Sequence, residues 1–88
     1  MYIVDYSTDY RERDVTTTVF YNNDSKATQR IIEFVANQSE DKNFKIKRIN
    51  KYQRGTLYPC QLTLSHGRMA VEEVPDLPLT PAPAEWPL

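Results

Sequence analysis

Alternating apolar and polar positions in the first part of the chain predict two β-strands. Residues 2–6 and 15–21 are rich in β-branched and aromatic side chains, as strands are. In the second run the residues Val15, Thr17, Val19 and Tyr21 face one way. The polar residues 7–14 between the runs indicate a loop or hairpin tip, so we expect an antiparallel hairpin.

The period then changes from two residues to 3.6, which is typical of a helix from about residue 25 to residue 39. Residues 22–25 offer side-chain oxygens for the helix N-cap, and Asp24 suits the positive end of the helix dipole. One face should lie on a sheet, with Phe34 as a buried anchor. That face comprises Ala27, Ile31, Phe34, Val35 and Gln38.

Three more strands are predicted after the helix, at residues 44–52, 58–64 and 69–74. In the third strand Ile49 is out of phase with Phe44 and Ile46. Either a β-bulge near Lys47 and Arg48 restores the phase, or Ile49 packs on the other face. Pro59 cannot donate a backbone hydrogen bond, so it should lie at an edge or at the start of its strand.

The fold class expected from this order, β-β-α-β-β-β, is α+β. One helix would pack on a four- to five-stranded, mostly antiparallel sheet formed by a single domain over residues 1–74. Residues 75–88 hold five of the six prolines and indicate a polyproline II or disordered tail. We expect the apolar side chains of this tail, above all Trp86, to pack back over the sheet, although they could instead bind a partner.

Charge is strongly segregated along the chain. Residues 42–68 contain seven basic residues and no acidic one, whereas the segments on either side are both net negative and the whole chain has a net charge of −1. This pattern indicates a basic surface with acidic flanks. Alternatively, the flanks neutralise the basic segment across adjacent strands.

Little catalytic or metal-binding chemistry is available. His66 is the only histidine and lies in a predicted turn, and Cys60 is the only cysteine and should face inward as an inert thiol. The two glycines make no phosphate-binding loop. We therefore expect no enzyme activity, no metal and no cofactor. No apolar run reaches the length of a membrane span, so we also expect no membrane partner.

The basic third strand is therefore the candidate partner-binding surface. Basic strands with nearby aromatic residues can also bind single-stranded nucleic acid, with bases stacked on rings such as Phe44, Tyr52 and Tyr58. Two of these rings, Phe44 and Tyr58, are also in phase with core positions. The candidate residues are Lys45, Lys47, Arg48, Asn50, Lys51 and Arg54.

Residues 16–20, the helix, and the strand from Phe44 to Ile49 resemble small phage-encoded host-takeover proteins. The layout is similar to that of the RNA polymerase inhibitor of T7-like phages and of compact α+β anti-CRISPR proteins. In the polymerase inhibitor, arginines late in this strand contact the enzyme; Arg48 matches the first, and Asn50 stands in place of the second. Residues 53–88 have no counterpart in that inhibitor.

The resemblance implies a non-enzymatic viral protein of the host cytoplasm. Such a protein would bind and inhibit a host nucleic-acid-processing complex, such as a CRISPR effector or RNA polymerase, through its basic strand. The partner would then be a host protein or ribonucleoprotein complex. The alternative function is a single-stranded nucleic-acid-binding module.

Overall fold

A computed structural model describes residues 1–10 and 13–86, with the side chains at 9, 10, 13 and 14 left out of the description. The predicted α+β class, with one helix on an antiparallel sheet, is confirmed within this part of the chain. The elements are β1 (Tyr2–Tyr10), β2 (Arg13–Tyr21), α1 (Ala27–Gln38), β3 (Phe44–Gln53), β4 (Thr56–Ser65), β5 (Arg68–Glu73) and β6 (Thr80–Pro81).

The described strands form one sheet in the order β2-β1-β3-β4-β5, and the short β6 pairs with β4. All of the pairings are antiparallel. Helix α1 covers one side, which we call the helix face, and the opposite side is called the open face. The sheet thus has six strands where the sequence predicted four to five.

The first hairpin is longer than its sequence suggested. Residues 7–10 and 13–14 belong to strands rather than to a loop, and the tip at residues 11–12 lies outside the described residues. Ser7 pairs with Thr16 on one side and Lys45 on the other, and it is buried. Backbone pairing on both sides explains why this polar segment is a strand.

The core lies between α1 and the helix face. Val4, Ile31 and Ile49 are buried together, with partly buried Tyr2 and Tyr21 packed against them. The predicted helix face is confirmed at Ala27 and Ile31, both completely buried.

Phe34 is only half-buried, because it lies beyond the most central part of the interface. Its ring packs edge-on against Tyr6 and Phe44, with centroid separations of 5.2 and 5.8 Å. The expectation that Phe34 is a buried anchor is therefore wrong. Ile31 has that role, and Phe34 belongs to an aromatic cluster at the side of the core.

Asp24 organises the start of α1 without being its N-cap residue. Lys26 occupies the N-cap position and makes no capping bond with its side chain. Asp24 Oδ1 instead accepts a hydrogen bond from the Lys26 backbone N–H at 2.9 Å, and Oδ2 accepts one from Arg30 at 2.9 Å. These two bonds, the backbone one first, hold the pKa of the Asp24 carboxyl below its usual value.

The β-bulge in β3 is confirmed. Asp5 pairs with Arg48 while the next residue, Tyr6, pairs with Ile46, so Lys47 is the additional residue. Because of this extra residue, Ile46 and Ile49 both pack on the helix face. The bulge therefore resolves the phase conflict along the strand.

Two tight turns join β3 to β4 and β4 to β5. Arg54 and Gly55 have φ values of 50° and 79°, and His66 and Gly67 have φ values of 52° and 73°. Positive φ at both central residues is the property of type I′ turns, which suit the twist of hairpins.

Pro59 does not lie at the start of its strand, but it faces a local gap in the strand pairing on one side of β4. It is the fourth residue of β4, pairs with Asn50 and accepts a hydrogen bond on its carbonyl from Val74 N–H at 2.8 Å. Its neighbour Cys60 pairs with the last residue of β5. The strand tolerates Pro59 because an N–H at this position would point towards the gap between the end of β5 and the start of β6. No ladder hydrogen bond is therefore lost there.

The proline-rich segment crosses the open face. Ala82 N–H donates to the Gly55 carbonyl at 2.8 Å, which continues the β6 pairing. Trp86 packs against Tyr52 and Phe20, with ring centroids 5.4 and 6.1 Å away. This is the packed-back arrangement expected for Trp86. Among the described residues, no helix is long and apolar enough to cross a membrane.

Candidate docking surface on the open face

Three cations of β3 lie on the open face, and the bulge adds Arg48 to the two lysines. Lys47 Nζ donates to Thr16 Oγ1 at 2.6 Å, and Arg48 Nε donates to Asp5 Oδ2 at 2.8 Å. Lys45 is exposed and precedes Ile46, which points into the core, so alternation also places Lys45 on the open face. These residues, Lys45, Lys47 and Arg48, are called the basic cluster below.

Lys51 lies on the other face of the sheet. It pairs with Tyr2, which packs against the core, and its Nζ lies 3.7 Å from Glu73 Oε1. Strict alternation along residues 44–52 places Lys51 on the same side as Lys45 and Lys47, and that prediction is wrong for Lys51. The bulge that recruits Arg48 also shifts the phase of every later residue by one, which turns Lys51 away.

The two remaining candidate residues lie beside the basic cluster or at the end of its strand. Asn50 is half-buried and contributes to the wall of a cleft on the open face. Arg54 is exposed in the type I′ turn after β3. Four of the six predicted residues therefore share the open face: Lys45, Lys47, Arg48 and Asn50.

Arg48 is held in place by a chain of hydrogen bonds across three strands. Thr18 Oγ1 donates to Asp5 Oδ1 at 2.6 Å, and Asp5 Oδ2 receives Arg48 Nε. The Asp5 side chain is 16% exposed, whereas that of Arg48 is 65% exposed. The guanidinium is therefore fixed at Nε, while its outer end faces solvent and can bind a carboxylate or phosphate through two N–H groups.

An adjoining cleft of about 590 Å³ separates the sheet from the C-terminal segment. Its apolar wall includes Ile3, Leu57, Leu77 and Trp86, and its polar end includes the basic residues Lys47 and Arg48. A cleft with an apolar wall and a cationic end can accept a partner's apolar side chain that lies next to an acidic group.

Both acidic flanks supply partners to the basic segment. Among the described residues, Asp5 pairs with Arg48 and Glu73 pairs with Lys51. Exposed pairs of this kind contribute about 0–1 kcal/mol each. They orient the basic side chains more than they stabilise the fold.

The aromatic rings that could have stacked on bases lie elsewhere. Phe44 packs against Tyr6 and Phe34, and Tyr58 pairs with Lys51 on the helix face. Tyr52 is buried and contacts Trp86. The basic cluster and the predicted stacking residues therefore do not form one surface.

Cys60 is partly buried against the core, and its Sγ–H lies 3.5 Å from the Tyr58 carbonyl. Burial first, and the charge of Glu73 second, raise the pKa of this thiol. His66 is exposed in its turn. In the part of the chain that the structure describes, no group of three or more His, Cys, Asp or Glu side chains could hold a metal ion.

Sequence reasoning missed Asp5, Thr18 and Phe20 as parts of this surface. A signal was present, because alternation in β2 places Thr18 and Phe20 opposite to Val19. The pairing of Asp5 with Arg48 joins residues 43 apart, and only the order of strands reveals it.

The chain matches no protein-family model, no curated protein and no solved structure. Its function is therefore argued from its own residues.

Proposed function

We propose that this chain is a non-enzymatic binding protein that docks on an acidic protein surface through its basic cluster and the adjoining cleft. The observation that carries the proposal is the orientation of Arg48 by Asp5 and Thr18. An arginine held at Nε on a rigid strand loses little side-chain freedom when it binds, so more of its interaction energy becomes affinity.

A protein partner suits this surface better than a nucleic acid does. The cleft next to Arg48 offers apolar area, which a partner side chain can fill and a phosphate backbone cannot. The resemblance to phage inhibitors makes a host nucleic-acid-processing complex the partner class to test first, with inhibition as the consequence of docking.

The partner would be identified by capture from a bacterial lysate and affinity would then be measured by calorimetric titration. The double variant Lys45→Glu/Lys47→Glu should weaken binding at least tenfold, about 1.4 kcal/mol. The matched control is Lys26→Glu/Lys42→Glu, which makes the same charge change at exposed positions near the two ends of α1. The control should stay within about twofold.

Arg48→Lys provides the finer test, because it keeps the charge and removes the planar two-pronged donor. We expect this single variant to bind the partner more weakly than the native chain does. Its circular dichroism spectrum should be unchanged, which would show that it folds. Equal losses in the test and control double variants would refute the basic cluster as the docking site. Binding of single-stranded oligonucleotides with steep salt dependence would instead support the nucleic-acid function.

A further inference from the structure

Strand β2 forms one edge of the sheet, and its five central residues are symmetrical about the midpoint of the strand. The strand runs from Arg13 to Tyr21, so Thr17 is its central residue. Around Thr17 the sequence Val-Thr-Thr-Thr-Val reads the same in both directions over residues 15–19. Among the described residues, no strand pairs with the outer side of β2.

Over residues 15–21 this edge lacks the usual protection against pairing, because the two charged residues of β2, Arg13 and Asp14, both lie at the start of the strand. Natural edge strands are blunted by charged residues, prolines or bulges. Residues 15–21 contain no charge and no proline, and β2 pairs with β1 without a shift in register. Val15 and Phe20 are 52% and 54% exposed. By contrast, the other edge strand, β5, carries Arg68, Glu72 and Glu73 among its six residues.

We propose that β2 pairs with β2 of a second copy of this chain, antiparallel, about a two-fold axis at Thr17. In this register Val15 faces Val19 of the second copy, Thr16 faces Thr18, and Thr17 faces its own equivalent. Valine pairs and threonine pairs are favourable across antiparallel strands, at about 0.2–1 kcal/mol each. An isologous contact of this kind closes as a dimer and does not propagate.

Repulsion between the two basic clusters does not oppose this association. Five strand spacings separate β3 from β3 of the second copy, or about 24 Å at about 4.8 Å per spacing. The two basic clusters would thus lie well beyond the screening length of about 8 Å at physiological salt. Because paired residues point to the same side of a sheet, both open faces would lie on one side of the dimer. The proposal is independent of the proposed docking function.

Disulfide trapping tests both the dimer and its register. In a Cys60→Ser background, Thr17→Cys places two thiols opposite each other, with Cα atoms about 4.5–5.5 Å apart. That distance suits a disulfide. The control is Val15→Cys in the same background. Its two thiols would lie about 14 Å apart, because the two Val15 positions are displaced from each other by four residues along the paired strands.

We expect mild oxidation to cross-link the Thr17→Cys chain at least tenfold faster than the Val15→Cys chain. Sedimentation of the native chain from micromolar to millimolar concentration should show reversible dimerisation. Thr17→Lys should abolish it, since two like charges would meet on the axis, and an equimolar mixture with Thr17→Glu should restore it. Circular dichroism would check that both variants fold.

A native chain that stays monomeric throughout this range would overturn the proposal. So would equal cross-linking of the two cysteine variants, or dimers unaffected by Thr17→Lys. In the last case the chain would associate through another surface.

Discussion

Deleting one residue from β3 should be tolerated at Lys47 and not at Asn50. Lys47 is the additional residue of the bulge. Without it, Ile46 and Arg48 become neighbours and still pair with Tyr6 and Asp5. The strand then alternates regularly, and Ile46 and Ile49 both keep their places on the helix face.

The cost of deleting Lys47 follows from what it contacts. Its exposed amino group donates a hydrogen bond to Thr16, and surface contacts of this kind are worth about 0.5–1.5 kcal/mol. A chain of 88 residues typically has a free energy of unfolding of about 4–13 kcal/mol. The deletion should therefore lower stability by about 1 kcal/mol and leave the protein folded.

Deleting Asn50 has a different consequence. The turn at Arg54 and Gly55 fixes the register of β3 with β4, so the preceding residues must move forward by one. Arg48 would then occupy the position of Ile49, opposite Val4, where the side chain is 2% exposed. A lost core isoleucine costs about 2–5 kcal/mol and an unpaired buried charge about 3–5 kcal/mol. Together they approach or exceed the total stability.

Urea unfolding, followed by circular dichroism and by the fluorescence of Trp86, measures both effects. Lys47→Ala is the control, because it removes the same hydrogen bond and keeps the chain length. The Lys47 deletion should match Lys47→Ala within about 1 kcal/mol. An unfolded Lys47 deletion, or an Asn50 deletion of native stability, would show that the assigned register of β3 is wrong.

Three further predictions concern the core, the thiol and the helix start. Ile31→Ala should cost about 2–5 kcal/mol in urea unfolding, and the half-buried neighbour Ile32→Ala less than half as much; equal losses would contradict the helix phase. Iodoacetamide at pH 8 should modify Cys60 more slowly than a free cysteine, because burial raises the pKa of the thiol, and urea should remove the difference. Asp24 has a lowered pKa, so the stability it adds is present above its unfolded value of about 3.8 and disappears as pH falls through the folded value. The melting temperature of Asp24→Asn should therefore lie below that of the native chain at pH 7, and the difference should shrink as pH falls below about 3.8.

Local patterns predicted α1 and the central parts of β1 to β5. The change from a two-residue to a 3.6-residue period located α1, and Ala27 and Ile31 are its buried side as expected. The phase conflict between Ile46 and Ile49 indicated either a bulge or a change of face, and the structure has the bulge. Each of these signals lies within one element, where alternation or helical spacing alone decides which side chains face the core.

Features that depend on pairing could not be predicted in the same way. The position of Lys51 was wrong because a bulge changes the phase of all later residues, and the sequence pattern was followed across it without that correction. The interior place of Pro59 depends on where β5 ends and β6 begins. The partner of Arg48 depends on β1 lying between β2 and β3.

The two proposals concern neighbouring parts of one surface. A single helix covers only one side of the sheet, so the open face must be covered by the C-terminal segment or by a partner. Trp86 reaches Tyr52 and Phe20, whereas Thr16, nearer the other end of β2, is exposed on the open face. A dimer through β2 would bring two such regions together beside two basic clusters.

The variants designed above separate these roles, because Thr17 lies on the axis of the proposed dimer and Arg48 lies two strands away. If the partner engages both copies at once, Thr17→Lys should lower the observed affinity by more than tenfold, since the second contact would no longer be intramolecular. Arg48→Lys should weaken each contact and leave the dimer intact. If Thr17→Lys abolishes the dimer without changing partner affinity, one open face is a complete docking site, and dimerisation serves to cover an edge strand that its sequence leaves unprotected.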